Sequence, residues 1–192
     1  MKISRIALTG LAAATLSGCG LNSIPTAEEE VNAKWADVQN QYQRRADLIP
    51  NLVATVRGAA KAENETLTNV INARARAGAV QLSGDDLTDP AKMQQFAAAQ
   101  GALSLAVRPL QEAYPELRSQ ANFTTLMSQL ESSENRVAIA VRDYNGAVQE
   151  YNTRIRTFPD AIGARVIHGA KPLTPFQATT PGAERAPQVD FG

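Results

Sequence analysis

Residues 119–157, SQANFTTLMSQLESSENRVAIAVRDYNGAVQEYNTRIRT, carry the pattern that decides the fold. Phe123, Leu126, Leu130, Val137, Val141, Tyr144, Val148, Tyr151 and Ile155 recur at steps of three, four and seven. That rhythm puts them on one face of an α-helix, with Glu134 the single interruption of the seam. A helix over this stretch is roughly 55 Å long, which favours an elongated bundle over a compact globule. Pro159 cannot continue it.

Working back toward the N-terminus, a second long pattern covers residues 26–78. Thr26 and Glu29 have capping-box spacing, and Glu28, Glu29 and Glu30 suit the positive end of a helix dipole. Val31, Trp35, Val38, Tyr42, Ile49, Leu52, Val56, Ala60, Leu67 and Val70 then sweep one face, ending near Gly78 with Arg74 and Arg76 in the last turn. Pro50 offers no N–H to the carbonyl of Ala46, so the pattern predicts either one helix bent there or two consecutive segments. Residues 81–89 form a polar loop ending in Asp89-Pro90, an N-cap followed by an N1 proline. The helix that follows buries Met93, Phe96, Ala97, Leu103 and Val107, is weakened by Gly101 and Pro109, and ends at Tyr114-Pro115. The expected fold is therefore all-α: an elongated antiparallel bundle of three or four helices over residues 26–158. Beyond it, Pro172, Pro175, Pro181 and Pro187 predict an irregular, Pro-rich tail over 159–192, whose first part packs along the bundle.

The first residues read differently. Lys2 and Arg5 precede an uncharged run, residues 6–16, rich in Leu and Ala, the layout of a secretion signal. The run is shorter than the ~20 apolar residues needed to span a bilayer. It closes on Leu16-Ser17-Gly18-Cys19, the pattern of a lipobox. Cleavage between Gly18 and Cys19 would remove residues 1–18 and leave Cys19 as an acylated N-terminus on a spacer, residues 19–25. Acyl chains contribute about 0.8 kcal/mol per buried methylene, so two or more make a lasting anchor to membrane lipid. Gly20 rather than Asp after the cysteine favours, in bacteria that sort lipoproteins, the periplasmic face of the outer membrane.

Charge and residue supply narrow the function. The chain has 19 basic and 19 acidic residues; removing Lys2 and Arg5 leaves 17 against 19. Nothing there attracts nucleic acid. Cys19 is the only cysteine, so no disulfide is available to the domain. His168 is the only histidine, and Arg165 rather than Glu lies three residues before it, which argues against a ferritin-like metal site, against a Cys-His or Ser-His nucleophile, and for no cofactor. Glu131 and Glu134 on adjacent helical faces leave a carboxylate hydrolase of envelope glycan or lipid as the alternative to a non-enzymatic protein. A carboxylate on an apolar seam needs neutralising, so Glu134 is expected to pair with a basic or amide group across the bundle.

Three groups of residues together resemble the LemA family of membrane-associated helical proteins. They are Trp35 with residues 44–53 (RRADLIPNLV); residues 114–117 (YPEL) with Asn122-Phe123; and Leu130-Glu131, Glu134-Asn135-Arg136, Tyr144-Asn145, Tyr151-Asn152 and Phe158-Pro159. The resemblance spans residues 26–178 and implies a long antiparallel bundle tethered at its N-terminus, with no established enzymatic activity. The chain departs from the family pattern at Gly169-Ala170-Lys171-Pro172, where an aromatic is usual, and at Arg108-Pro109, where helix usually continues. Arg44, Arg45, Asp47 and Asn51 form a polar cluster around Pro50, and Asn135, Arg142, Asn145, Gln149, Asn152 and Arg156 a polar stripe beside the last seam. Both are recognition patches or, as bundles more often use them, structural fixtures. The sequence thus points to a tethered rod whose partner is another envelope protein or a second copy of itself.

Overall fold

The computed structural model describes residues 22–59 and 64–177. Gly18, Cys19 and the whole predicted signal lie outside the described residues, as does the end of the tail. Helix α1 is Ser23–Ala59, α2 Asn64–Ala79, α3 Pro90–Ala113 and α4 Ala121–Arg154, with 3₁₀ turns at Gly84–Thr88 and Pro115–Ser119. A short α5, Asp160–Gly163, runs into a π turn, Ala164–His168. No strand occurs among the described residues.

Arg45 meets Glu134 while Trp35 meets Tyr144, so α1 and α4 run antiparallel along their length. Trp35 and Tyr42 meet Phe96 and Arg45 meets Gln100, so α3 runs parallel to α1. Helix α2 folds back beside the far half of α1 and packs on α3. Four helices therefore enclose the far half, and three helices plus non-helical chain enclose the near half. Two apolar cores result. Ile49, Leu52, Val56, Leu67, Val70, Leu103, Leu110, Leu117 and Phe123 fill the far one. The near one gathers Ile24, Val31, Trp35, Val38, Leu87, Met93, Phe96, Tyr144, Val148 and Phe176. At its centre Trp35 meets Phe96 edge-to-face and Tyr144 at a tilt, with ring centroids 5.2 and 5.1 Å away.

Two local expectations, the start of α1 and the irregularity of the tail, are corrected, the choice left open at Pro50 is decided, and the helix weakened by Pro109 runs to Ala113 as expected. Helix α1 starts at Ser23, ahead of the predicted Thr26 box: Ile24 is fully buried, Pro25 sits in the first turn where its missing N–H has no partner to lose, and Thr26 Oγ1 donates back to the Asn22 carbonyl at 2.7 Å. Pro50 does not break α1, which continues to Ala59. Pro109 likewise lies inside α3, with Leu110 next to it fully buried. The tail is not irregular from 159 onward: Gly163 and Ala164 are small enough to press against the bundle and hold a helical turn, which Gly169 ends at φ +56°, a backbone conformation open to glycine. Asp89 caps α3 as expected, accepting from the amides of Ala91 and Lys92 at 2.8 and 3.4 Å.

Candidate functional site

The boundary between the two cores is a polar layer centred on Arg45. One helical turn above Tyr42 and one below Ile49, Arg45 occupies an inward position of α1 and is only 3% exposed. An arginine at such depth requires acceptors on every side. One terminal nitrogen donates to Ser104 Oγ and Glu134 Oε1, each at 2.8 Å. The other donates to the Gln100 carbonyl and to Gln100 Oε1, each at 2.9 Å. Its planar head lies 4.9 Å from the Tyr42 ring centroid, a cation–π contact. Ser104 Oγ in turn donates to Glu134 Oε1 at 3.2 Å, and Gln100 Nε2 to the Ala77 carbonyl at 3.2 Å. One side chain thereby ties α1, α3 and α4 together, and Gln100 adds α2.

The layer is asymmetric. The Glu134 side chain is 48% exposed, so it forms the mouth of the layer and Arg45 the floor. Grooves of about 410 and 300 Å³ flank this pair between α3 and α4. The first is walled by Leu103, Val107, Met127 and Leu130, with Arg108 and Glu131 at its edge; the second by Ala97, Val137, Val141 and Phe176. Burial pushes the Tyr42 phenol up to about 12, with Arg45 opposing the rise and Glu134 adding to it. Burial also raises the phenols of Tyr144 and Tyr151. Arg45 Nε and Ser133 Oγ are buried with no hydrogen-bond partner.

The cluster predicted around Pro50 divides. Only Arg45 turns inward; Arg44, Asp47 and Asn51 are exposed, and Asp47 accepts from Gln43 Nε2 at 2.7 Å. The carbonyl of Ala46, orphaned by Pro50, is satisfied from another helix: Arg74 Nε of α2 donates to it at 2.9 Å. On α4 the core position is taken by Ser133, 2% exposed, which leaves Glu134 beside the seam and free to face Arg45. Asn135 is exposed.

Asn145 and Asn152 have a structural use that the polar stripe did not reveal. Each side-chain amide makes a two-way bond with the extended tail. Asn152 donates to the Leu173 carbonyl and accepts from its amide, both at 2.8 Å; Asn145 does the same with Phe176 at 2.9 and 2.7 Å. Seven helical residues advance about 10.5 Å and three extended residues about 10 Å, so the two registers coincide. Tyr144 Oη adds a bond to the Thr174 carbonyl at 3.0 Å, and the Thr174 amide reaches the Leu87 carbonyl at 2.9 Å. This strap delivers Phe176 to Trp35, Tyr42 and Phe96.

Sequence reasoning missed Gln100, Ser104 and Arg74. Gln100 lies between Ala97 and Leu103 on the inward face of α3, where a polar side chain needs a buried partner, and Ser104 follows four residues on at the exposed edge of that face. That spacing was the available signal. Among the described residues no three His, Cys, Asp or Glu side chains are placed to share a metal ion, and no helix is long and apolar enough to cross a membrane.

The profile of the LemA family matches residues 34–191. A relative named Protein LemA, from Metamycoplasma hominis, is 22% identical over 138 residues, which is 71% of this chain. The match spans 60% of that relative's length.

Proposed function

Since the chain belongs to the LemA family, we propose that it is a lipid-anchored envelope protein whose bundle binds another envelope protein without catalysing a reaction. The observation that carries the reading is the start of α1 at Ser23, four residues beyond Cys19. Four residues extend at most about 14 Å, so an acylated Cys19 would hold the near end of the rod against the headgroups and raise the far end away from them. The polar layer supports a binding role over chemistry. Arg45 is engaged by Ser104, Gln100 and Glu134 together, a register device of the kind bundles use. The grooves between α3 and α4 offer a partner apolar walls with a half-exposed carboxylate between them.

In-cell crosslinking at native expression, followed by mass spectrometry, tests the partner. Recovery of one envelope protein, lost when Val107→Asp and Met127→Asp alter the groove at its two partly buried walls, is the expected result; no partner above background sinks the proposal. Crosslinks solely between copies would replace it with self-association. Turnover of an envelope glycan or lipid by the purified protein, abolished in Glu134→Gln, would replace it with a hydrolase. Fractionation of the natural chain against Cys19→Ser tests the anchor, with loss from the membrane fraction expected for the variant.

A further inference from the structure

Four large apolar side chains at one end of the rod face solvent. Phe158 is 81% exposed, Ile162 59%, Val166 77% and Ile167 60%. The other exposed large hydrophobics, Ile71, Leu105 and Ile139, are scattered singly along the helices, as on any protein surface. The four are different because they are contiguous and built on a folded turn. Residues 158, 162 and 166 follow steps of four, and the intervening Gly163 and Ala164 are buried against the bundle. The segment is therefore amphipathic with its apolar side turned outward. A chain that only needed to close its bundle would have placed these residues inward, and the backbone here is held firmly: Gly169 ends the turn, and the Ala170 amide donates to the Ala164 carbonyl at 2.9 Å.

The location of this patch decides what covers it. It follows the C-terminus of α4, which lies beside the N-terminus of α1: Tyr151 senses the charge of Glu28, Arg154 that of Glu30, and α5 packs on α1. Ser23, four residues after Cys19 in the sequence, is at this same end. We propose that Phe158, Ile162, Val166 and Ile167 form a membrane-seating surface that dips into the interfacial layer of the bilayer beside the lipid anchor. The inference rests on the anchored reading above for the nearness of the bilayer. Short amphipathic segments of this kind bury their apolar side at the boundary between headgroups and acyl chains without spanning it. Phe158 is the aromatic of the set, and the exposed Arg156, Arg165 and Lys171 stand close to these residues in sequence, where long basic side chains can reach phosphate. An acyl tether alone would leave the rod free to swivel. A second, apolar contact fixes its tilt and turns the α3–α4 grooves in a constant direction.

The test uses the mature lipoprotein reconstituted into phosphatidylethanolamine–phosphatidylglycerol vesicles, with a polarity-sensitive fluorophore on the thiol of Ile162→Cys or, separately, Val166→Cys. Both positions are exposed, so neither substitution disturbs packing, and Ile139→Cys on the side of the rod is the reference. The expected result is emission shifted to the blue and quenched by shallow spin-labelled lipid at positions 162 and 166, and neither effect at 139. Emission from water at both 162 and 166 overturns the proposal, and so does a blue shift without lipid quenching, which means protein covers the patch. The anchor is read separately. The unsubstituted chain takes no maleimide when Cys19 is acylated, and if it does take it, the fluorophore measurement is repeated in Cys19→Ser. Lipid quenching there sustains the seat without the anchor; its absence sinks both.

Discussion

Removing Glu134 should destabilise the bundle only while Arg45 is present. Arg45 is buried and Glu134 half-exposed, so Glu134→Ala leaves an interior guanidinium without its counter-charge, while its bonds to Ser104 and Gln100 persist. Breaking a fully buried pair from one side costs roughly 3–5 kcal/mol; water reaching the carboxylate reduces that here to about 2. For a chain of this length that corresponds to a fall in Tm of about 4–8 °C. Arg45→Met keeps apolar volume but strands Gln100 Oε1, while the Gln100 carbonyl keeps its bond within α3, for a net loss of about 2 kcal/mol. In the double variant Glu134 has no buried partner left to neutralise. Its removal should then add close to nothing, giving a coupling of about 2 kcal/mol. Urea unfolding followed by far-UV circular dichroism and by the emission of Trp35, the only tryptophan and 3% exposed, measures all three variants. Additive losses in the double variant, with coupling below about 0.5 kcal/mol, would refute the polar layer as a coupled unit.

The bond from Arg74 to Ala46 predicts a rescue: Arg74→Ala should cost about 1–2 kcal/mol, and Pro50→Ala in the same chain should recover much of it by restoring the N–H that Ala46 lacks, as thermal melts would report. Asn145→Ala with Asn152→Ala should release the strap, so that the amides of Leu173 and Phe176 exchange with solvent at least about tenfold faster while those of the far core are unchanged, read by hydrogen exchange. Tyr42 titrates in the folded state near 12 and in the unfolded state near 10, so its neutral form is favoured by folding. That contribution is complete below pH 10 and lost as pH rises through 12. Absorbance at 295 nm compared with Tyr42→Phe should show a late-ionising phenol absent from the variant, and ionisation near pH 10 in the folded chain would contradict the packing around it.

Much of the architecture was legible in the sequence because helices bury a face, and a buried face imposes a period. The steps through Phe123, Leu130, Val137, Tyr144 and Tyr151 fix a helix whatever it packs against, and Asp89-Pro90 marks a helix start by local chemistry alone. The pairing of Glu134 with a cation follows from the same logic, since an interrupted seam needs neutralising. What the sequence could not name was the partner. Arg45 lies beside Arg44 in the chain, and only the direction in which α1 presents its faces to α3 and α4 makes one of them interior and the other solvated. Pro50 reads locally as a bend or a break, and it stands inside α1 where Arg74, twenty-eight residues from Ala46, supplies the missing donor. Asn145 and Asn152 read as a polar stripe, and they hold a strap only because an extended tail returns in matching register. Ile162, Val166 and Ile167 fall in a stretch that reads as irregular tail, and only the structure turns them outward with Phe158 while burying Gly163 and Ala164. The division follows from range. Periodicity, caps and the lipobox pattern are set within a few residues of themselves, whereas a hydrogen bond between helices or a choice of face depends on what the rest of the chain brings alongside.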